Sequence, residues 1–304
     1  VANPYLLLEP SRTNLVTQSE YFGGSDWISS NVTITDNVTT SPEGVQNAAL
    51  INFTSGANYF QNGGGGMVSG STYTISCYVK RALSTDQVFK IYGNGNIVSG
   101  DFTATSEWQR FTYTFTAAST NFSCGLTTPS ICQIHLYGFQ VEAGVYPTSY
   151  IPTYSVSATR AVDDCSKTNA GGIIEQTEGT LYAEVTFLST GGGSQWLSIS
   201  SGNSQNWVFI GKDNDDIRGY VRASNVVAFT NQDTLIIDNT PTKIAIAYKS
   251  GDIAFYINGT LIASSTSSFS FNQPLDSIYF RASDSGSTVE TTKYNEILLY
   301  PTRL

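Results

Sequence analysis

The chain has 304 residues, 13% of them charged, and a formal net charge of −9 at pH 7. An acidic chain with no Lys/Arg cluster is poorly suited to neutralising phosphates, which excludes nucleic acid as a partner. No apolar run is long enough for membrane insertion, and four cysteines without a Cys-x-x-Cys, beside a single histidine, exclude a zinc site. The length allows two domains of roughly 150 residues. Abundant Gly, Ser, Thr, Asn and Tyr favour strands and turns, and no stretch carries a capped helical stripe. The chain opens at Val1 with no signal-peptide pattern, as expected for a fragment or a processed product of a longer chain.

In chain order, Leu6–Leu8 lies between Pro4 and Pro10 and reads as an edge or lead-in strand. Trp27 precedes an alternating run at 32–35, and strands are expected over 48–53 and from Tyr59. Asn62 and four glycines (63–66) read as a mobile loop. Thr72–Arg81 alternates well, and 87–92 is a short strand ending in the turn at 93–96. In 108–116, Phe111, Tyr113 and Phe115 share one face.

The first half ends in 131–154. Strict alternation puts Ile134, Leu136 and Gly138 on one face and His135, Tyr137, Phe139 and Val141 on the other. Pro147 and Pro152 then impose an extended strap with three tyrosines, Tyr146, Tyr150 and Tyr154, leading to the next domain. Cys77 is in phase with apolar strand neighbours and reads as core. Cys124 and Cys132 flank a hairpin-like tip, where a disulfide and two free thiols are equally compatible with the spacing.

The second half repeats the style. Leu181, Ala183, Val185 and Phe187 are expected inward, with Tyr182, Glu184 and Thr186 outward. Gly191–Gly193 reads as a loop. Strands follow at 196–200, 207–211, 217–222 and 243–249, with an acidic tip at 213–216. A hairpin is built on Asn258-Gly259, a pair that suits a tight turn with positive φ. Segments 277–281 and 295–300 complete the set. The expected fold is all-β, two tandem antiparallel β-sandwich (jelly-roll) domains, 1–153 and 154–304.

Two stretches of the first half, LLLEPSRTNL at 6–15 and GFQVEAG with YPTSYIPT at 138–153, resemble a module recurrent in structural proteins of tailed bacteriophages, itself similar to jelly-roll carbohydrate-binding modules. YTISCYVK at 73–80 and WQRF at 108–111 fit its inner strands. The second half resembles a concanavalin A-like, laminin-G-like lectin domain through TEGTLYAEV at 177–185, the 243–263 hairpin and 294–303. The resemblance implies an adhesin-type protein of a virion surface, on a tail or head fibre and outside the cell. Its expected partners are a polysaccharide or cell-surface glycan, other virion proteins and, as is common in fibres, two further copies in a homotrimer. A purely structural decoration protein and a polysaccharide depolymerase are the alternatives.

Chemistry is sparse. No strand carries the alternating carboxylates that a glycosidase uses. His135, in Gln133-Ile134-His135, resembles the base of alginate-lyase-type jelly rolls, but the partner motifs are missing. No Gly-x-Ser-x-Gly elbow is present. The reading is therefore a non-enzyme.

Sugars stack on aromatic faces beside amides. Trp196, Trp207, Tyr220 and Asn206 form the favoured patch, and Tyr59, Phe60 and Tyr92 are the first-domain candidates, with Trp27 and Trp108 read as core. Related modules carry a structural calcium ion near sheet ends, which makes Glu142 the candidate ligand. The acidic tip at 213–216 reads as a solvated turn.

Overall fold

The computed structural model describes residues 4–56, 58–63, 66–94, 97–188, 193–214, 216–233, 239–280 and 291–304. Gly64, Gly65, Gly95, Asn96, Gly191, Gly192, Asp215 and Arg281, which belong to loops, turns and strand ends expected above, lie outside the described residues. The fold is all-β, with every strand pair antiparallel. Among the described residues there is no α-helix.

The chain divides into two compact bodies, Ser11–Ala161 and a second made of Val1–Pro10 with Val162–Leu304. The division differs from the expected one at both ends. Leu6–Leu8, here β1, forms its ladder with the last strand of the chain, Leu6 opposite Tyr294 and Leu8 opposite Thr292. The first body is thus an insertion in the second. At its other end the first body runs to Ala161, eight residues beyond the expected boundary at 153, because Ala158–Arg160 pairs with Arg12–Asn14.

The first body holds β2 (Arg12–Asn14), β3 (Trp27–Ser30), β4 (Val32–Thr39), β5 (Ala48–Phe53), β6 (Tyr59–Asn62), β7 (Thr72–Arg81), β8 (Gln87–Gly93), β9 (Ile97–Val98), β10 (Phe102–Ala104), β11 (Gln109–Thr116), β12 (Cys124–Thr127), β13 (Cys132–Ala143) and β14 (Ala158–Arg160). Two sheets, ordered β11-β7-β13-β5-β4 and β10-β8-β12-β6-β3 with β9 beside β8, close over one core. Phe89 of one sheet meets Phe111 of the other edge to face at 5.0 Å. Trp27 is core, as expected, stacked on Phe60 at 4.4 Å. Trp108 is not: it lies outside the core cluster under the Lys80 ammonium, 4.9 Å from its ring, and its indole donates to the Thr40 carbonyl.

Strand β13 departs from strict alternation. Gly138 has φ +62°, and the register with β7 shifts between Tyr137 and Gln140. This bulge resets the phase, so Ile134, Leu136, Phe139 and Val141 all reach the core while His135, Tyr137, Gln140 and Glu142 face away. A Cβ at 138 would press on the Tyr150 and Tyr78 rings at 3.3 Å, and the positive φ disfavours any other residue.

Cys124 and Cys132 sit in different sheets and, like Cys77 and Cys165, are free thiols. Burial pushes Cys77, Cys124 and Cys132 up to about 12, so they stay neutral packing groups.

The second body adds to β1 the strands β15 (Ser166–Lys167), β16 (Glu178–Phe187), β17 (Ser194–Ser200), β18 (Trp207–Asp213), β19 (Asp216–Ala223), β20 (Val226–Asp233), β21 (Thr242–Lys249), β22 (Asp252–Ile257), β23 (Thr260–Ser265), β24 (Ser277–Tyr279) and β25 (Thr292–Tyr300). Its two six-stranded sheets run β1-β25-β16-β21-β22-β23 and β15-β24-β17-β18-β19-β20. Leu181, Ala183, Val185 and Phe187 point into the core between them, as expected, joined by Leu8 from β1. The Asn258-Gly259 turn joins β22 to β23 with positive φ at both residues, 50° and 80°.

Candidate functional site

The first body's outer sheet face holds a depression of roughly 210 Å³ lined by Asn58, Tyr59, Gln61, Tyr92, Val98 and Thr127. Its construction follows from register. Gln61 on β6, Gly125 on β12 and Tyr92 on β8 are cross-strand neighbours in one row. Gly125 leaves that row without a side chain at its centre. A Cβ there would run into the Phe60 carbonyl of the adjacent strand, so the close strand approach requires glycine.

The polar groups of the depression are ordered by the protein itself. Tyr92 donates its hydroxyl to Gln61 Oε1 at 2.6 Å, and Ser123 donates to the same oxygen at 2.8 Å. These two bonds fix the amide and leave the Gln61 nitrogen without a hydrogen-bond partner among the described residues, as a donor pair. Burial raises the Tyr92 phenol, so it remains a donor at any physiological pH. Asn58 holds the rim through its own amide: Nδ2 donates to Thr128 Oγ1 at 2.8 Å, and Oδ1 accepts from the Thr128 backbone N–H at 3.0 Å. Tyr59, 41% exposed, presents its ring on this surface beside the exposed Val98. An exposed ring next to an oriented amide is what a sugar needs: an apolar face for its C–H groups and a donor for its hydroxyls. Phe60 takes no part. It is fully buried against Trp27 and Phe22.

In the second body the expected patch comes together differently. Trp196 on β17, Phe209 on β18 and Tyr220 on β19 stack face on face across three strands, at 4.5 and 4.8 Å. Trp207 meets all three edge on. The Arg218 guanidinium caps the ladder, 5.1 Å from the Tyr220 ring and 5.8 Å from Phe209, and is held by Asp213 at 2.5 Å. Phe209, not singled out from the sequence, is its centre and only 1% exposed; Trp207 and Tyr220 are 9% and 8% exposed. The faces of Phe209 are taken by Trp196 and Tyr220, Trp196 itself is half-buried, and the Trp196 and Trp207 indole N–H groups have no hydrogen-bond acceptor among the described residues. Asn206 stands apart from the rings. It is buried and bonds Asn272 Oδ1 at 2.7 Å and the Ser224 N–H at 2.8 Å, which ties two loops together.

Glu142, the candidate calcium ligand, is buried with both oxygens engaged. Thr148 donates its N–H to Oε2 at 3.0 Å and its hydroxyl to Oε1 at 2.5 Å, and Gln140 Nε2 donates to Oε2 at 2.5 Å. Gln140 Oε1 in turn accepts from the Ile151 N–H at 2.6 Å, while Asn14 Nδ2 donates to the Ile151 carbonyl at 2.8 Å. Glu142 thus clamps the strap instead of facing an open coordination site. Among the described residues no group of three His, Cys, Asp or Glu side chains is placed to hold a metal ion.

The strap's tyrosines dock on the first body itself. Tyr146 lies under Arg12, Tyr150 bonds Ser19 at 2.6 Å, and Tyr154 bonds Glu20 at 3.3 Å. His135 lies across from Leu50 and Lys80, and burial followed by the Lys80 charge lowers its pKa. Asp213 of the acidic tip accepts from Ser194 at 2.9 Å in addition to its bond with Arg218.

No protein-family model matches this chain, and no curated protein matches it. Solved structures similar to it include a Clostridium thermocellum endo-1,4-β-D-xylanase fragment, CBM22-1 with GH10 modules, complexed with xylohexaose (14% identity, 47% of this chain and 30% of that chain, TM-score 0.36). A Ruminococcus gnavus IT-sialidase CBM40 bound to α2,3-sialyllactose is similar at 14% identity over 43% of this chain and 79% of that chain, TM-score 0.36. Mouse laminin α1 domains LG4-5 are similar at 9% identity over 98% of this chain and 90% of that chain, TM-score 0.33. The match spans less than a third of the xylanase chain, and superpositions this loose carry neither a ligand nor a site across.

Proposed function

We propose that the protein binds polysaccharide without cleaving it and does so as an adhesin-type component of a phage-like virion surface, on a tail or head fibre. The observation that carries the binding reading is the Gln61 amide, fixed by Tyr92 and Ser123 beside the exposed Tyr59 ring. A depression of roughly 210 Å³ falls below the roughly 300–1,000 Å³ of enclosed ligand pockets, which fits a shallow and weak subsite. Many copies on a particle turn weak sites into firm attachment. The virion setting is supported by the resemblance of 6–15 and 138–153 to a phage structural module. Residues of those stretches, Asn14, Gln140, Glu142 and Thr148, form one buried clamp in the first body.

The test is retention of the purified chain on a panel of bacterial and algal polysaccharides, with reducing-end and unsaturated products followed in the same samples. Retention without products is the expected result. Products lost in His135→Ala would establish a depolymerase, and absence of both signals would leave a structural decoration protein.

A further inference from the structure

Outward positions of a solvated antiparallel sheet are ordinarily polar. The outer face of the sheet containing β21 breaks that rule. Strand β21 turns Ala245 and Ala247 outward. Tyr182 and Tyr256 flank Ala245, and Thr180 and Ala254 flank Ala247. Small residues on one strand between tyrosines on both neighbours make a trough along β21. Two depressions, of about 490 and 340 Å³, share Tyr182, Ala245 and Tyr256 and so join into one groove. Leu298 and Tyr300 extend one wall, and Leu304 lies at its end, its N–H bonded to Thr180 Oγ1 at 3.0 Å.

The dimensions select the occupant. Strands β16 and β22, two spacings apart, leave roughly 10 Å between backbones, and the floor from Lys243 to Ala247 runs about 13 Å. That footprint, on the order of 130 Å², is far below the ~800 Å² that each partner gives a stable protein interface. It suits a chain one residue wide. Tyr182 and Tyr256 offer apolar rings, and Tyr256 adds a hydroxyl that makes no protein hydrogen bond among the described residues, whereas the Thr180 hydroxyl is taken up by the Thr302 carbonyl and the Leu304 N–H. At the far end Glu184 and Glu296 stand near Lys243, which lies 3.9 Å from Glu184, so the local charge repels uronates and sulfates. Burial, with Glu296 and Glu184 adding to it, raises the Tyr182 phenol, whose hydroxyl is engaged by Glu296, so that Tyr182 presents its ring as a fixed wall of the trough.

We infer that this trough is a second glycan subsite, taking a short stretch of a neutral linear polysaccharide along β21. The inference rests on the glycan-binding reading of the first body and extends it to a different face of a different body.

The test uses the full chain labelled with ¹³C at alanine and valine methyl groups and titrated with neutral linear hexasaccharides: xylo-, cello-, malto- and laminarihexaose. Hexagalacturonate is the acidic control. At least one neutral sugar is expected to shift the Ala245 and Ala247 methyls saturably, with hexagalacturonate leaving them in place. Tyr256→Ala should weaken that binding at least tenfold. Ala245→Leu, which fills the trough and keeps the tyrosines, should abolish it, while Gln61→Ala leaves it unchanged. Movement of the Val98 methyl alone would overturn the trough and leave the first-body reading standing. Silence at both places across the panel would overturn both. Shifts at Ala245 that follow protein concentration without sugar would make the face a contact between copies and overturn the inference.

Discussion

The two bodies each gather aromatic side chains on an outer sheet face, and they use them in opposite ways. In the second body Trp196, Phe209 and Tyr220 stack face on face, with Trp207 edge on, and cover one another. In the first body Tyr59 keeps an exposed ring, and Tyr92 spends its hydroxyl on orienting Gln61. Clustering of aromatics therefore does not make a sugar platform. A free ring face beside an unspent, oriented donor does. The ladder reads as a small core on the outside of a sheet, holding β17, β18 and β19 in register.

The largest expected effect tests how the bodies are built. Removing residues 1–10 deletes β1 and takes Leu8 from the second body's core, and should destabilise that body by on the order of 5 kcal/mol. Calorimetry should show its transition falling while that of the first body stays. Next, Phe209→Ala should lower the stability of the second body by about 3–4 kcal/mol, the range for emptying a buried phenylalanine site, and leave glycan retention intact. Loss of retention in a variant still folded by circular dichroism would return the ladder to the binding surface.

Alkaline pH separates the bodies further. Cys77, Cys124 and Cys132 all lie in the first body and are raised from 9.0 to about 12 by burial. The unfolded chain releases those protons near 9 and the folded chain does not. Their stabilising contribution is therefore complete below pH 9 and is lost as pH climbs toward 12. The first body's melting temperature should fall sooner above pH 9 than that of the second, whose one cysteine, Cys165, is only partly buried. A thiol reagent at pH 8 should modify Cys165 well before the other three. Finally, Tyr59→Phe keeps the ring and removes a hydroxyl that makes no protein hydrogen bond among the described residues, and should change retention by less than threefold. Tyr59→Ala should weaken it more.

Much of the fold was legible because strand periodicity is local. Leu181 through Phe187, the Asn258-Gly259 hairpin and the Pro-bounded strap all follow from side-chain alternation and turn chemistry. What escaped was non-local or a break in the period. Nothing in Leu6–Leu8 says that its partner lies nearly the whole chain away. One residue of bulge at Gly138 moved Phe139 and Val141 to the opposite face from the one that strict alternation gives.

The site was half legible. Tyr59 and Tyr92 stood out as aromatics near loops, but adjacent strand residues point to opposite faces, so Tyr59 and Phe60 were never able to share one surface. Asn206 lies in the bend before β18, outside the alternation, and is spent on Asn272 and Ser224. Gln61 and Gly125 carry no signal of their own, since their roles come from cross-strand register. The alanines of β21 carry no signal of their own in the sequence, and only the tyrosines placed beside them by pairing turn them into a floor.

The most direct measurement compares Gln61→Ala and Trp196→Ala with the parent chain on whichever polysaccharide of the panel retains it, by isothermal titration with a soluble fragment of that glycan. The account expects Gln61→Ala to lose about tenfold in affinity, or about 1.4 kcal/mol, and Trp196→Ala to bind as the parent does. The reverse pattern, with Trp196→Ala weakened and Gln61→Ala unchanged, would contradict it and place recognition on the stacked ladder of the second body.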